Sequence, residues 1–215
     1  MERAAEELKM MIKTAAWIIV NFDETWCKVR RFNRYTKKYM WVLVNKAHGI
    51  VIIFYDEGSR GRKVLTDFLG EADLKALMSD GYNAYTFLDG ELEKTDHLIC
   101  MAHARVKYEK AYQYGEDPVA KEFADMISEL YDLEDGSYPI DNNLAERSVR
   151  PFTTKRKCSH HFGSDEGVEM SAVYYSVIGT LKLCGKSVWN FFGEYFRCEV
   201  LGLDTYKDYL PALSR

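Results

Sequence analysis

The sequence predicts an α/β fold, in which a mixed five-stranded sheet carries helices on its faces and a helical extension follows at the C-terminal end. Three apolar runs of strand length succeed one another near the N-terminus on short polar connections. Two shorter strand-like runs come later, next to sequence with helical spacing. The 215 residues are 47% hydrophobic and 29% charged, which is enough for one sizeable domain with a packed core.

A helix and three strands open the chain. Residues 2–13 have the spacing of an amphipathic helix. Runs rich in β-branched residues then predict strands at residues 15–22, 39–46 and 50–56. The first strand is expected to end at Asp23, where extended sequence and a polar turn follow. Because short connections join antiparallel neighbours, these strands are expected to form a meander.

Helices and two further strands make up the rest of the chain. A helix is predicted at residues 62–72, and strands at 75–80 and 95–100. Further helices are predicted at residues 101–115, from Pro118 to near Gly136, at 166–185 and at 187–202. This order of elements is that of an RNase H-like fold, and we expect its first and fourth strands to be neighbours.

Composition and cysteine usage indicate a cytoplasmic protein. No apolar run reaches the roughly 18 residues of a membrane helix, and the N-terminus lacks the apolar segment of a signal peptide. The five cysteines contain no C-x-x-C pair, which favours free thiols in a reducing compartment. Two groups leave metal binding open as the less favoured alternative. They are Cys100 with His103, and Cys158 with His160 and His161.

The charge is unevenly distributed along the chain. The net charge of −4 argues mildly against a nucleic-acid binder. Positive charge is nevertheless concentrated at residues 28–38 and 146–157, while acids gather elsewhere, for example at 115–135. Each basic run taken alone is compatible with an ordinary solvated hairpin or loop.

Three acids are candidates for a shared metal site. Asp23 and Asp80 are expected at the ends of neighbouring strands, where paired carboxylates repel each other unless a cation lies between them. Mg²⁺ would make such a pair favourable and could activate a water for attack on a phosphodiester. Glu146 could reach the same place from a helix.

Structural alternatives exist for each of these acids. Asn143 and Glu146 have the spacing of a capping box, and Glu146 and Arg150 that of a helical ion pair. Asp23 could be a turn residue, and Asp80 could begin a turn at Gly81.

Four motifs carry a resemblance to a known family. They are DGYNAY, CMAHARVKY, PIDNNLAERSVRP and GSDEGVEMSAVYYSVIGTLKLCG, in this order. Together they resemble the DDE transposases of the insertion-sequence-66 family, from about Asp23 to the final helices. The resemblance implies an RNase H-like core that binds divalent metal, Mg²⁺ or Mn²⁺, and that cuts and joins double-stranded DNA at transposon ends. It also implies that Asp23, Asp80 and Glu146 are the metal-binding, catalytic acids, and that the active form is a homo-oligomer without a membrane partner.

The same resemblance gives the basic residues a role at DNA phosphates. The residues expected to bind DNA are Arg147, Arg150, Lys155, Arg156 and Lys157 beside the acids, with Lys28, Arg30 and Arg31 extending the patch. Asp141, Asn142 and Asn143 would begin the helix and fix the direction of its first turn, so that Glu146 faces the metals.

The chain departs from the family pattern in ways that affect its expected organisation. We expect an N-terminal helix at 1–13 as the remnant of a longer region, a DDE catalytic core at 14–163 and a C-terminal helical segment at 164–215. Within the core, residues 133–136 look like a shortened join in place of a long helical insertion. Two functions therefore follow: an active transposase core, or a truncated and inactive remnant that only binds DNA or dimerises.

Overall fold

A computed structural model describes residues 1–14, 18–70, 72–81, 95–135 and 138–211. The start of the predicted strand at 15–22, most of the DGYNAY motif and Gly136 lie outside these residues. The strands are β1 (Ile18–Arg31), β2 (Arg34–Asn45), β3 (Ile50–Phe54), β4 (Leu74–Ser79) and β5 (Asp96–Ile99). The helices are α1 (Glu2–Thr14), α2 (Arg62–Leu69), α3 (Met101–Gly115), α4 (Pro118–Asp132), α5 (Asn143–Ser159), α6 (Asp165–Leu183), α7 (Val188–Leu201) and a 3₁₀ turn at Thr205–Tyr209.

The five strands form one mixed sheet in the order β3-β2-β1-β4-β5. Strands β1, β2 and β3 pair antiparallel, whereas β4 runs parallel to both β1 and β5. The predicted five-stranded α/β fold with helices on its faces, including the neighbouring first and fourth strands, is confirmed, and helices α6 and α7 form the C-terminal extension.

Strand β1 is longer than the sequence predicted, so Asp23 does not lie at a strand end. The ladder with β2 runs from Asn21–Val44 to Arg31–Arg34 and keeps the chain extended on both sides of Asp23. What ends near Asp23 is the neighbour on the other side, because the last pair between β1 and β4 is Asn21–Met78. The prediction mistook the end of a strand pair for the end of a strand.

The sheet is buried on both faces by two apolar clusters. Alternate residues of β1 separate them: Val20 and Phe22 face one cluster, and Cys27 and Val29 the other. Helix α1 lies in the first cluster, where Ala4, Ala5, Leu8 and Ile12 are buried against the sheet. Helix α5 lies in the second cluster through Ala145, Val149 and Phe152. Among the described residues, no helix combines the length and apolar character needed to cross a bilayer.

Helix α6 covers the outer edge of β3 with two hydroxyl groups. The Val51 N–H donates to Thr180 Oγ1 at 2.9 Å, and the Ile53 N–H donates to Ser176 Oγ at 2.7 Å. Both hydroxyls also lie within hydrogen-bond distance of the carbonyl of the same β3 residue. Gly179 lets the helix come this close, since a Cβ there would lie 3.0 Å from a Val51 methyl. The outward-facing backbone N–H and C=O groups of Val51 and Ile53 are thus hydrogen-bonded by side chains of α6 instead of by a sixth strand.

Candidate active site

The three candidate acids line one pocket of about 350 Å³ at the edge where β4 ends. Asp23 comes from β1, Asp80 follows the last residue of β4, and Glu146 comes from the first turn of α5. The other residues that line this pocket are Glu24, Thr25, His103, Val149, Arg150 and Thr153. The structure therefore brings together, from distant parts of the chain, the three acids that the sequence singled out.

Asp23 is exposed to this pocket because the edge of β1 is open there. Strand β4 leaves β1 after Asn21. Further along, the edge is closed again by Phe162, whose N–H donates to Lys28 O and whose carbonyl accepts from the Arg30 N–H, both at 2.8 Å. Asp23 lies between these two partners. An acid in the middle of a long strand can therefore face a pocket.

Asp80 is placed by the turn that ends β4. Gly81 adopts a positive φ of 75°, and a Cβ at this position would lie 2.6 Å from an Ile99 methyl group. Its N–H donates to Ser79 Oγ at 3.2 Å. A side chain other than glycine's would be strained in this conformation. Asp80, directly after β4, lines the acidic pocket.

Glu146 is directed by a buried asparagine at the start of α5. The Asn142 side chain donates to Phe22 O at 2.8 Å and accepts from Asn21 Nδ2 at 3.1 Å. Its backbone N–H points to Cys100 Sγ at 3.2 Å. These contacts tie the first turn of α5 to the part of β1 that directly precedes Asp23. The dense polar residues of PIDNN therefore set the direction from which Glu146 enters the pocket.

The structure contains neither the capping box of Asn143 with Glu146 nor the helical ion pair of Glu146 with Arg150. Helix α5 has Asn142, not Asn143, as its N-cap residue, and the Asn142 side chain makes no capping hydrogen bond. Asn143 instead hydrogen-bonds to Asp141. Within the described residues, the basic side chain next to the Glu146 carboxylate is His103, whose Nε2 lies 3.5 Å from Oε1, and no ion pair joins Glu146 to Arg150.

His103 is the site residue that sequence reasoning missed as a partner of the acids. It lies in the first turn of α3 and faces the pocket, with its Nδ1 buried and without a hydrogen-bond partner among the described residues. From the sequence, His103 was considered only as a possible metal ligand together with Cys100. The signal was present in CMAHARVKY, which places a histidine just after β5, the strand that lies beside β4.

Burial raises the pKa of Asp23 to about 7, and the neighbouring carboxylates of Glu24, Asp80 and Glu146 add to the rise. Burial also raises the pKa of Glu24, although a hydrogen bond from Arg60, 2.6 Å from Nε to Oε1, opposes the rise. The pocket is thus a place where negative charge is held at a cost in free energy. A bound cation would remove this cost.

Oxygen donors of this kind suit Mg²⁺ or Mn²⁺, which prefer carboxylate ligands. In the described part of the chain, however, no three His, Cys, Asp or Glu side chains are close enough to hold an ion as they stand. The donor chemistry of Asp23, Asp80 and Glu146 therefore fits a divalent metal, but their side chains must approach one another to share it. The side chains of Cys158, His160 and His161, which also belong to the described residues, do not converge on a metal site either.

The predicted basic patch is divided by the geometry of α5. Successive residues of an α-helix are about 100° apart around its axis. Arg150 and Lys157 therefore lie on the same side as Glu146, and Arg150 lines the acidic pocket. Arg147 is exposed about a quarter turn away, and Lys155 projects from the opposite side of the helix. Lys28 and Arg30 are exposed on β1.

Two of the predicted DNA-binding residues, Arg156 and Arg31, make contacts between β1 and the helices packed on it. Arg156 Nη1 donates to Thr25 Oγ1 at 2.9 Å and to Trp26 O, and its guanidinium lies 4.1 Å from the centre of the Trp26 ring. Arg31 forms an ion pair with Asp165 at the start of α6. Both contacts fasten β1 to helices on the same face of the sheet.

Comparison with models of known protein families gives a match. A family model described as "Transposase IS66 family" matches residues 1–136 and 132–170. The chain belongs to the IS66 transposase family. The two matched segments overlap at residues 132–136, which include the shortened join predicted at 133–136. No curated protein sequence matches the chain. Membership in the IS66 transposase family supports a role in transposition in general and confirms the resemblance drawn from the four motifs.

Proposed function

We propose that this protein is a metal-dependent DNA transposase core that cleaves phosphodiesters at transposon ends and joins the resulting 3′-hydroxyl to target DNA. Asp23, Asp80 and Glu146 are the proposed metal ligands and catalytic residues. The observation that carries the proposal is their convergence on one pocket from β1, β4 and α5.

The raised pKa of Asp23 supports the same assignment. A carboxylate that burial and three neighbouring acids destabilise is poorly suited to a purely structural role. A divalent ion held by Asp23, Asp80 and Glu146 would activate the attacking oxygen and neutralise charge on the phosphate. The chain's own residues bind and orient: Asn142 directs Glu146, and the Glu24–Arg60 pair supports β1 beside Asp23. His103 Nε2 lies 3.5 Å from the Glu146 carboxylate.

DNA is the partner that the charges around the pocket favour. Arg150 lines the pocket together with the acids, and Lys157 lies on the same side of α5. Cations placed beside the acids in this way can bind the phosphates that flank the bond being cut. In the protein as a whole, with its net charge of −4, DNA binding depends on such a local patch.

A strand-transfer assay tests the proposal. An oligonucleotide with the terminal repeat of the element and a free 3′-hydroxyl is incubated with plasmid DNA and Mg²⁺ or Mn²⁺, and joined product is measured. We expect the parent to form product and Glu146→Gln to lose at least about 100-fold in rate, because a neutral amide cannot replace a metal-binding carboxylate.

Glu129→Gln is the matched control, since it makes the same change at an exposed helical position of α4. It should leave the joining rate within about twofold of the parent. Equal loss in both variants, or full activity of Glu146→Gln, would remove Glu146 from the active site. Metal-independent DNA binding without any joining by the parent would instead favour the inactive, DNA-binding remnant.

A further inference from the structure

We propose that the tip of the β1–β2 hairpin is a second DNA contact, in which Phe32 stacks on an unpaired base and the neighbouring arginines hold the backbone phosphates. This inference rests on the proposed function only in taking DNA as the partner. The hairpin tip consists of residues 30–35, between the end of the Phe162 pairing and the body of β2.

Two features make Phe32 an unexpected residue at this turn. Its side chain is 97% exposed, so the ring is in water and not in the core. Its backbone has a positive φ of 52°, a conformation that a bulky side chain rarely adopts. Asparagine or glycine would serve the turn better. A bulky residue whose backbone is strained and whose ring gains nothing from folding points to a role outside the fold.

The surroundings of Phe32 match nucleic acid. Residues 28–38 contain six lysines and arginines and no acid. Arg31 is paired with Asp165, whereas Arg30 and Arg34, two residues before and after Phe32 in the chain, are exposed. Tyr35 is 58% exposed and makes an edge contact with His161 at 4.8 Å. Aromatic rings set among cations are the usual surface for stacking unpaired bases, while protein-binding patches are broader and more apolar.

The hairpin is held at a defined distance from the acidic pocket. Nine residues of extended chain separate Asp23 from Phe32, which at 3.3 Å per residue is about 30 Å. At 3.4 Å per base pair this length corresponds to roughly nine base pairs. Because Phe162 pairs with β1 at Lys28 and Arg30, the hairpin is fixed to the same body as the acids. Phe32 would thus reach DNA roughly one helical turn from the bond being cut.

Binding without metal tests the inference independently of catalysis. Fluorescence anisotropy in EDTA compares a 30-base-pair duplex with the same duplex carrying one bulged adenine. We expect the parent to bind the bulged DNA more tightly. Phe32→Asn should lose about 5- to 100-fold in affinity for the bulged DNA, the range of one base–aromatic stack, and little for the paired duplex. Asparagine accepts the left-handed turn, so the hairpin should keep its shape.

Two further variants make the result specific. Phe32→Trp should retain the preference for bulged DNA, because it keeps an aromatic face. Arg34→Ala should weaken binding to both duplexes equally. It should also lower the slope of log affinity against log salt concentration by about 1, the value for one lost phosphate contact.

Equal affinity of the parent and Phe32→Asn for bulged DNA would overturn the inference, as would a parent that does not prefer the bulge. A larger loss on single-stranded RNA than on the bulged DNA would overturn the choice of DNA. Since no metal is present, a protein inactive in strand transfer can still show the effect of Phe32. Conversely, an active protein without this effect would lose only the hairpin contact.

Discussion

At the scale of single residues, Asp23 carries the clearest electrostatic signature of the site. Folding moves its pKa from the ordinary 3.8 to about 7, chiefly through burial. Between about pH 4 and pH 7 the folded protein therefore binds more protons than the unfolded one. The stability of the metal-free protein should fall as the pH rises through this window, and the full loss is present above pH 7.

The variant Asp23→Asn should remove this dependence. Its amide is neutral and can keep the acceptor for the Glu24 N–H, which lies 2.8 Å from Asp23 Oδ1. We expect Asp23→Asn to be about 2–4 kcal/mol more stable than the parent at pH 8 and nearly equal to it at pH 4. Urea unfolding in EDTA at both pH values measures the difference. The exposed Asp132→Asn is the control, and a gain from Asp23→Asn that is the same at both pH values would contradict the prediction.

At the scale of elements, the edge of β3 depends on the hydroxyl groups of α6. Replacing Thr180 by Val preserves the shape of the side chain but leaves the buried Val51 N–H without its acceptor. The expected cost is about 1–3 kcal/mol in the free energy of unfolding. The same substitution at Thr154, which is exposed on α5, should cost less than about 0.5 kcal/mol. Similar values for the two variants in chemical denaturation would show that the α6 contact contributes nothing.

The two adjacent basic residues Arg156 and Lys157 are expected to have different roles, because only Arg156 attaches α5 to β1. Arg156→Ala removes the hydrogen bonds to Thr25 and Trp26 together with the contact to the Trp26 ring, so it should lower the free energy of unfolding by about 1–3 kcal/mol. Lys157→Ala should leave the free energy of unfolding unchanged, because Lys157 is exposed. It should lower the slope of log DNA affinity against log salt concentration by about 1, the value for one phosphate contact. Thermal melting and a salt titration together measure both effects. A stability loss in Lys157→Ala, with none in Arg156→Ala, would reverse the assignment.

At the scale of the whole molecule, the acidic pocket links metal binding to folding. Three carboxylates from separate elements repel one another in the metal-free protein, and an ion that binds only the folded state adds stability by linkage. We expect Mg²⁺ or Mn²⁺ to raise the melting temperature by several degrees. Asp80→Asn should reduce this increase, whereas Glu129→Gln should not. A metal response that Asp80→Asn leaves unchanged would remove Asp80 from the ligand set.

Much of this architecture was predictable because it depends on local pattern. Alternating and apolar runs identified the strands, helical spacing identified the helices, and the short connections between β1, β2 and β3 implied their antiparallel pairing. The motif PIDNNLAERSVRP was specific enough to indicate the family. These features can be read from the sequence because the period of buried residues and the length of a connection are properties of one continuous stretch of chain.

The rest was decided by contacts between distant parts of the chain. The open edge at Asp23 exists because β4 leaves β1 at Asn21 and Phe162 rejoins it at Lys28, an arrangement that no local pattern encodes. The pairing of Glu146 with His103 likewise joins residues from two helices. The sequence by itself determined which acids and cations the protein has and on which elements they stand. Only the tertiary structure decided which of them meet, because strand pairing and helix docking bring together side chains that sequence spacing leaves far apart.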